Sequence, residues 1–171
     1  VLTFSSFSTN SMRGAAILSG LKDAIVIDVG GTTTDVGVLQ HGFPRVAAMA
    51  VSIGGVRTNF RMPDTLSIGL GGGSIVKTEP LQVGPQSVGY EITSKALVFG
   101  GDVLTTTDVV VAAGKADVGD KSKVRLEPSF TDSVIERVAE MINVAVDRMK
   151  TSANLVPVIA VGGGSILIQR P

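Results

Sequence analysis

The sequence predicts an α/β fold with a mixed sheet, an early antiparallel meander and flanking helices. Short apolar segments follow one another closely at 24–28, 35–40 and 46–52, which favours neighbouring antiparallel strands. A longer segment at 130–150 repeats its apolar residues at helical spacing. A last apolar segment, 155–161, runs into three glycines, and we expect it to lie beside the 24–28 strand and parallel to it.

The composition limits the classes of function. At 171 residues the chain is long enough for one domain with its own core. Fifteen basic residues balance fifteen acidic ones without a basic run, which argues against a nucleic-acid surface. The absence of cysteine excludes disulfides, thiolate metal sites and a cysteine nucleophile, and it is compatible with the cytoplasm. No apolar stretch approaches the roughly 18 residues of a membrane span, so no membrane partner is expected.

Weaker signals complete the predicted fold. A helix is expected over 9–19, and a turn at 41–44 separates the second strand from the third. Short strands are expected near 65–68, 74–77 and 96–99, between loops rich in glycine and proline.

Two helices carry predicted N-terminal caps. The segment 105–115 predicts a short helix capped by a threonine, with Asp108 in its first turn. At the start of the 130–150 helix, Ser129 and Asp132 form a predicted capping box.

Residues with possible binding or catalytic roles are most concentrated in the loop DVGGTTTD, residues 28–35. Asp28 ends an apolar strand and can hold a hydrated divalent cation, and Asp35 offers a second carboxylate for metal or water. Two glycines let backbone N–H groups approach a polyphosphate, and three threonines offer hydroxyl donors: Gly30, Gly31, Thr32, Thr33 and Thr34. A hairpin closed by a Gly-Gly turn is the alternative, but such a turn needs no aspartate on either side. The loop is therefore predicted to bind phosphate, with both aspartates as catalytic candidates and Asp28 as the metal ligand.

Two further glycine clusters are less specific. SIGLGGGSIVK, at 67–77, either brings another backbone loop to a ligand or makes a sharp bend under the sheet. VIAVGGGSI, at 158–166, follows a strand and either lies against a nucleotide base or sugar or allows close helix packing. The candidate ligand contacts in these clusters are Gly71, Gly72, Gly73, Ser74, Gly162, Gly163 and Gly164.

Taken in order, the segments DVGGTTTDV, GLGGGSIV, VGPQSVG, TTTDV and VIAVGGGSI resemble the hydantoinase/5-oxoprolinase family of ATP-dependent amidohydrolases. The resemblance covers about residues 3–166 and is most specific at 28–35 and 69–89. The family belongs to the superfamily of actin, sugar kinases and Hsp70-like ATPases, in which two ribonuclease-H-like lobes clasp a nucleotide. The resemblance therefore implies a ribonuclease-H-like lobe.

The resemblance also implies which lobe is present. Members carry two DVGGT-like loops, and the surroundings of the one loop in this chain match the second lobe. The 28–35 loop would then be the second phosphate loop and 162–164 the adenosine-side loop, with 71–74 nearby. The implied cofactors are ATP and Mg²⁺. The implied partners are the remaining lobe of the same protein or a partner subunit and a small cyclic amide, with a homo-oligomer left open.

The length favours a single domain over residues 1–171, and the resemblance implies that this domain is a fragment of a larger two-lobe protein. The protein is expected to be cytoplasmic, and the fragment is expected to be inactive alone. On the substrate side the chain departs from the family pattern. Better-known members follow GP-x-S-x-G with a Pro-Gly-Pro stretch and a cysteine-tyrosine pair, where this chain reads VGYEITSKALVFGGD. They continue TVTDAN, where this chain reads TTTDVV. The substrate is therefore less well defined than the nucleotide.

ATP-dependent hydrolysis of a hydantoin or a 5-oxoproline-like lactam is the leading hypothesis. A sugar or small-molecule kinase would share the phosphate loops, and an ATP-driven switch of the actin or Hsp70 type is a third hypothesis. A structural domain without a ligand would require the glycine loops to point away from one another. We expect instead that Gly30, Gly31 and the 162–164 loop open onto one face, because ligands bind at the carboxyl ends of strands in α/β sheets.

Overall fold

The computed structural model describes residues 6–47, 52–53, 56–57, 62–151 and 154–168. The strands are β1 Ala24–Val29, β2 Thr34–Gln40, β3 Phe43–Pro44, β4 Ser52–Ile53, β5 Val56–Arg57, β6 Thr65–Ile68, β7 Ser74–Thr78, β8 Leu81–Ser87 and β9 Val158–Val161. The α-helices are α1 Ser6–Ser19, α2 Ile92–Lys95, α3 Thr106–Ala112 and α4 Pro128–Met149. Short 3₁₀ helices occupy Gly89–Glu91, Leu97–Phe99, Lys121–Lys123 and Gly163–Leu167.

The chain divides into two compact units, each built from separate stretches of sequence. The first unit holds the described residues of Val1–Asp28, Asp35–Ser67 and Ala145–Val161. The second unit holds those of Val29–Thr34, Ile68–Val144 and Gly162–Pro171.

The first unit contains a mixed sheet with the strand order β3-β2-β1-β9, and β6 also pairs with β2. β9 runs parallel to β1, with Val161 opposite Asp28, and β3 runs antiparallel to β2. Because only residues 30–33 join β1 to β2, too few for a crossover, these neighbours are antiparallel. The predicted meander and the parallel last strand are confirmed.

An apolar core joins α1 to this sheet. β1 is buried along its whole length, which explains its nearly continuous apolar sequence. Met12, Ala15 and Ala16 of α1 pack against Val26 and Leu39 of the sheet. The helix predicted over 9–19 is thus present and begins a few residues earlier.

The second unit contains the β7–β8 hairpin, the short helices and α3. Its core cluster consists of Ala96, Val98, Val111 and Val124. The predicted threonine cap of α3 is confirmed, because Thr105 and Asp108 exchange hydrogen bonds in a capping box.

A strand was predicted at the apolar segment 96–99, but the structure has a 3₁₀ turn there, over Leu97–Phe99. Gly100 follows in the left-handed region, with φ +92°, and its N–H donates to the Leu97 carbonyl. The Val98 N–H donates to the Asp108 carboxylate. Local acceptors therefore satisfy the donors that a strand would have offered to a neighbouring strand.

Other strand positions also differ from the prediction. The third strand of the meander is Phe43–Pro44, inside the predicted turn, while 48–51 lies outside the described residues. β8 was not predicted, because Gly84 and Pro85 lie inside it. The chain accommodates them in a two-stranded sheet, where proline meets an edge rather than a central ladder.

The start of α4 corrects the predicted capping box. The helix begins at Pro128, a residue suited to a first helical position because its missing N–H would have no intrahelical acceptor. The Glu127 carbonyl accepts from the N–H groups of Phe130 and Thr131, which places Ser129 inside the first turn rather than at the cap. Within the part of the chain that the structure describes, no helix is long and apolar enough to cross a membrane.

Candidate functional site

The loop between β1 and β2 presents unused hydrogen-bond donors. The Gly30 N–H donates to the Thr33 carbonyl over 2.9 Å, which closes the turn. Gly31, Thr32 and Thr33 are exposed. The N–H groups of Gly31 and Thr32 donate to none of the described residues. Adjacent free N–H groups beside two exposed hydroxyls form a surface suited to an anion.

The second glycine cluster lies against this loop, backbone to backbone. The Gly72 N–H donates to the Gly30 carbonyl over 3.0 Å, and the Gly73 N–H donates to the Gly31 carbonyl over 2.7 Å. A Cβ on Gly71 would lie 2.6 Å from both the Gly31 carbonyl carbon and the Thr32 nitrogen. Glycine is therefore required here, and the cluster fixes the shape of the phosphate-loop candidate.

Threonine hydroxyls hold the second cluster in place. Thr106 donates to the Gly71 carbonyl over 2.5 Å, and Thr107 donates to the Gly72 carbonyl over 2.7 Å. Thr34 is fully buried and donates to the Leu70 carbonyl over 2.7 Å. Of the three loop threonines predicted to face a phosphate, Thr34 is thus used internally.

Ser74 is internal as well. It is fully buried, and its Oγ accepts a hydrogen bond from the Gly71 N–H over 2.8 Å. It therefore braces the glycine cluster rather than presenting a hydroxyl to solvent.

The third glycine cluster reaches the same loop from its other end. A Cβ on Gly164 would lie 2.6 Å from Val29 Cγ1 and 2.7 Å from the Gly30 carbonyl oxygen. Gly162 has φ +88°, and Gly163 has open space where a side chain would be. Gly164 therefore packs directly against Gly30, while the shared open face and a contact with nucleotide stay predictions.

Ser87 is a neighbour of the loop that the sequence analysis did not single out. Its Oγ lies 3.4 Å from the Gly31 carbonyl oxygen and 3.5 Å from Thr32 Oγ1. It also accepts a hydrogen bond from the Gly89 N–H over 3.0 Å. The signal was available in the VGPQSVG segment, which was used only as a mark of resemblance.

Asp28, described within the first unit, has an unsatisfied oxygen. The residue is 6% exposed and lies opposite Val161 where β1 approaches its end. Its Oδ2 is buried and accepts no hydrogen bond from the described residues. A buried carboxylate oxygen without a partner is costly, and a hydrated cation would satisfy it.

Asp35, also in the first unit, has both carboxylate oxygens in use. Oδ2 accepts from the Ser8 hydroxyl over 2.9 Å, and Oδ1 accepts from the Ser67 hydroxyl. The carboxylate is therefore fixed in orientation, and its catalytic role stays a prediction.

The described residues contain no group of three or more His, Cys, Asp and Glu that could hold a metal. This does not conflict with magnesium, which keeps several waters and is usually bound through one or two carboxylates together with substrate phosphates. A single unpartnered carboxylate, such as that of Asp28, fits this mode of binding.

Comparison with known proteins finds a family model and a curated relative that match this chain in sequence. Residues 9–160 match the family model described as Hydantoinase/oxoprolinase. The acetophenone carboxylase gamma subunit of Aromatoleum aromaticum is 33% identical over 119 residues, which cover 66% of this chain and 16% of that protein.

Two solved structures are similar in fold. The ATP-dependent caprolactamase from Pseudomonas jessenii has a TM-score of 0.52 at 27% identity, covering 83% of this chain and 22% of that one. Acetone carboxylase, in its nucleotide-free structure, has a TM-score of 0.50 at 20% identity, covering 81% of this chain and 21% of that one. The mixed α/β, actin-like ATPase class is confirmed. The chain spans about a fifth or less of the length of these relatives.

Proposed function

Because the chain belongs to the hydantoinase/oxoprolinase family, we propose that it forms the second nucleotide-binding lobe of an ATP-dependent enzyme that hydrolyses a cyclic amide. In this proposal residues 1–171 are one lobe of a larger protein. The phosphates are held by residues 29–34 of the predicted 28–35 loop, called the 29–34 loop below. The remaining lobe, in the same protein or in a partner subunit, completes the site.

One observation carries the proposal. Two glycine clusters distant in sequence meet the 29–34 loop, Gly71 against Gly31 and Thr32, and Gly164 against Val29 and Gly30. Their approach fixes the loop without using the Gly31 and Thr32 N–H groups. A hairpin turn alone would need neither cluster, whereas a preorganised anion site needs a rigid loop with free donors.

The chain's own residues would take separate tasks. The Gly31 and Thr32 N–H groups would orient the phosphates and, with the Thr32 and Thr33 hydroxyls, stabilise charge that develops during transfer. Asp28 would hold the hydrated magnesium through its free oxygen. Asp35 would act as a second carboxylate, kept in one orientation by its two serine partners.

Bound ATP would supply a phosphoryl group that activates the amide carbonyl, so that water can open a bond that resonance otherwise protects. The ATP-dependent caprolactamase, at 27% identity, supports a cyclic amide as the substrate class. A hydantoin or a 5-oxoproline-like lactam is the substrate that we propose.

A second candidate function is ATP-dependent carboxylation of a ketone. It is supported by the 33% identity with the acetophenone carboxylase gamma subunit. The two functions would use the same phosphate loop and differ in the substrate that accepts the phosphoryl group, so the geometry of the loop does not discriminate between them.

The experiment uses the full-length protein with any partner subunit. Phosphate release from ATP–magnesium is measured with hydantoin, 5-oxoproline and caprolactam, and separately with aryl and alkyl ketones plus bicarbonate. Stimulation by a cyclic amide with formation of the ring-opened product supports the hydrolase. Stimulation only by a ketone with bicarbonate supports the carboxylase and rejects the hydrolase. A separate incubation of the protein with ATP–magnesium and sugars tests the kinase, and a phosphorylated sugar as the product would show a kinase and reject both.

A further inference from the structure

We propose that the Ser87 hydroxyl binds the terminal phosphate of the nucleotide, as a further donor beside the exposed threonines of the loop. The inference rests on the proposed function in one respect, since it assumes that the 29–34 loop binds ATP. It adds a residue from a different part of the chain and assigns the direction in which the nucleotide lies along the loop.

The backbone of Ser87 is held in place from both sides. It ends β8 and pairs with the fully buried Ser74 of β7. The next residue, Val88, is buried and its N–H donates to the Gly73 carbonyl over 2.9 Å. A Cβ on Gly73 would lie 2.9 Å from Ser87 Oγ and 3.0 Å from the Gly31 carbonyl oxygen, so Gly73, Ser87 and the loop are in close contact. The hydroxyl is therefore presented to the loop by fixed backbone.

The hydroxyl proton of Ser87 is not strongly committed. Its Oγ accepts from the Gly89 N–H over 3.0 Å, which leaves its own proton to donate. The two acceptors within reach, the Gly31 carbonyl oxygen at 3.4 Å and Thr32 Oγ1 at 3.5 Å, are both beyond the usual range for a hydroxyl donor. A phosphate oxygen beside Thr32 would be a better acceptor, because charged acceptors make shorter and stronger hydrogen bonds.

The position of Ser87 along the loop selects which phosphate it meets. Gly164 lies against Val29 and Gly30, whereas Ser87 lies beside Gly31 and Thr32. The proposed function places adenosine on the side of the 162–164 loop. Ser87 then lies at the end of the loop away from the adenosine. The terminal phosphate of a triphosphate would lie there, and a diphosphate has no phosphate at that position.

This difference between nucleotides supplies the test. In the full-length protein, calorimetry measures the affinity for a non-hydrolysable ATP analogue with magnesium and for ADP with magnesium. Ser87→Ala is expected to weaken the triphosphate analogue about tenfold, the loss expected for one hydrogen bond to a charged group. The affinity for ADP is expected to stay within about twofold.

Two further variants act as controls. Ser87→Thr keeps the hydroxyl and should retain most of the analogue affinity. Ser94→Ala removes another exposed serine hydroxyl of the same unit, one that donates to the Glu91 carbonyl, and should change neither affinity.

The outcomes separate the inference from its premise. Equal weakening of the analogue and of ADP by Ser87→Ala would show a merely structural role and overturn the inference, as would an unchanged analogue affinity. If the unsubstituted protein binds neither nucleotide, the proposed function fails and the inference fails with it. If that protein binds both and only the Ser87→Ala result disagrees, the proposed function stands and the inference alone is rejected.

Discussion

At the residue scale, the loop threonines divide by where their hydroxyls point, although the sequence presents them as a uniform run. Thr32 and Thr33 are exposed, whereas Thr34 is fully buried and donates to the Leu70 carbonyl. Thr34 is the first residue of β2 and is buried there, whereas Thr32 and Thr33 lie in the loop before the strand begins. The division matters for function, since a buried hydroxyl that satisfies a carbonyl cannot also bind a phosphate.

Asp28 is the residue whose replacement separates function from stability. We predict that Asp28→Asn in the full-length protein lowers ATP hydrolysis by roughly two orders of magnitude or more, because a neutral amide holds magnesium poorly. The melting temperature should stay the same or rise slightly, since the variant removes a buried charge whose Oδ2 has no partner among the described residues.

The measurements are phosphate release and a thermal melt on the same preparations. Asp23→Asn is the matched control, because Asp23 is exposed just before β1 and accepts from the His41 N–H through Oδ1, an atom that asparagine retains. Unimpaired hydrolysis by Asp28→Asn would contradict the role given to this carboxylate.

At the scale of elements, the second glycine cluster acts as a support for the loop. The sequence left open whether this cluster contacts the ligand or makes a packed bend. The structure shows backbone hydrogen bonds from Gly72 and Gly73 to the loop carbonyls of Gly30 and Gly31. Proximity to the loop and tight packing are therefore both present.

We predict that Gly71→Ala destabilises the folded protein by about 1–3 kcal/mol, the usual cost of forcing extra atoms into a filled space. The clash is with backbone atoms of Gly31 and Thr32, which cannot rotate away as a side chain would. Denaturant unfolding of the full-length protein, followed by a probe in this unit, measures the change.

Gly163→Ala is the control for this substitution, because a Cβ there meets nothing within 4 Å and the backbone does not have a positive φ. It should change the stability by less than about 0.5 kcal/mol. Equal stability of the Gly71→Ala and Gly163→Ala variants would mean that the loop is not pressed against the cluster.

The sequence predicted elements well where local signals agreed with tertiary packing. The Thr105–Asp108 cap and the strand Ala24–Val29 each combine a local preference with burial, and both are present. The strand predicted at 96–99 was wrong, because its apolar residues suit a strand while Gly100 and Asp108 favour a turn. The strand Leu81–Ser87 was missed for the opposite reason. Its glycine and proline argue against a strand, and its hydrogen-bonded pairing with Ser74–Thr78 is visible only in the folded structure.

Site prediction had a similar limit. Each glycine cluster is visible in the sequence, and the first was assigned to phosphate on its own chemistry. The approach of Gly71 and Gly164 to one loop is a tertiary fact, which no local pattern contains. Ser87 lies in the VGPQSVG segment, which is visible in the sequence, but its approach to Thr32 is again a tertiary fact.

At the scale of the whole molecule, the chain contains one candidate phosphate loop and spans about a fifth or less of the length of its relatives. We predict that the isolated 171 residues bind ATP–magnesium weakly at best and do not hydrolyse it with any lactam. Catalysis needs substrate, metal and nucleophile held together, and orientation is a large part of the rate. Calorimetry and phosphate release compare the isolated chain with the full-length protein, and efficient turnover by the isolated chain would refute the need for a second lobe.

The most direct test of the central claim is an experimental structure of the full-length protein with a non-hydrolysable ATP analogue and magnesium. We expect phosphate oxygens within about 2.7–3.2 Å of the Gly31 and Thr32 backbone nitrogens. We also expect adenosine on the side of Gly162 to Gly164. Nucleotide bound away from the 29–34 loop, or a loop that stays free of ligand when the analogue saturates the protein, would contradict the central claim.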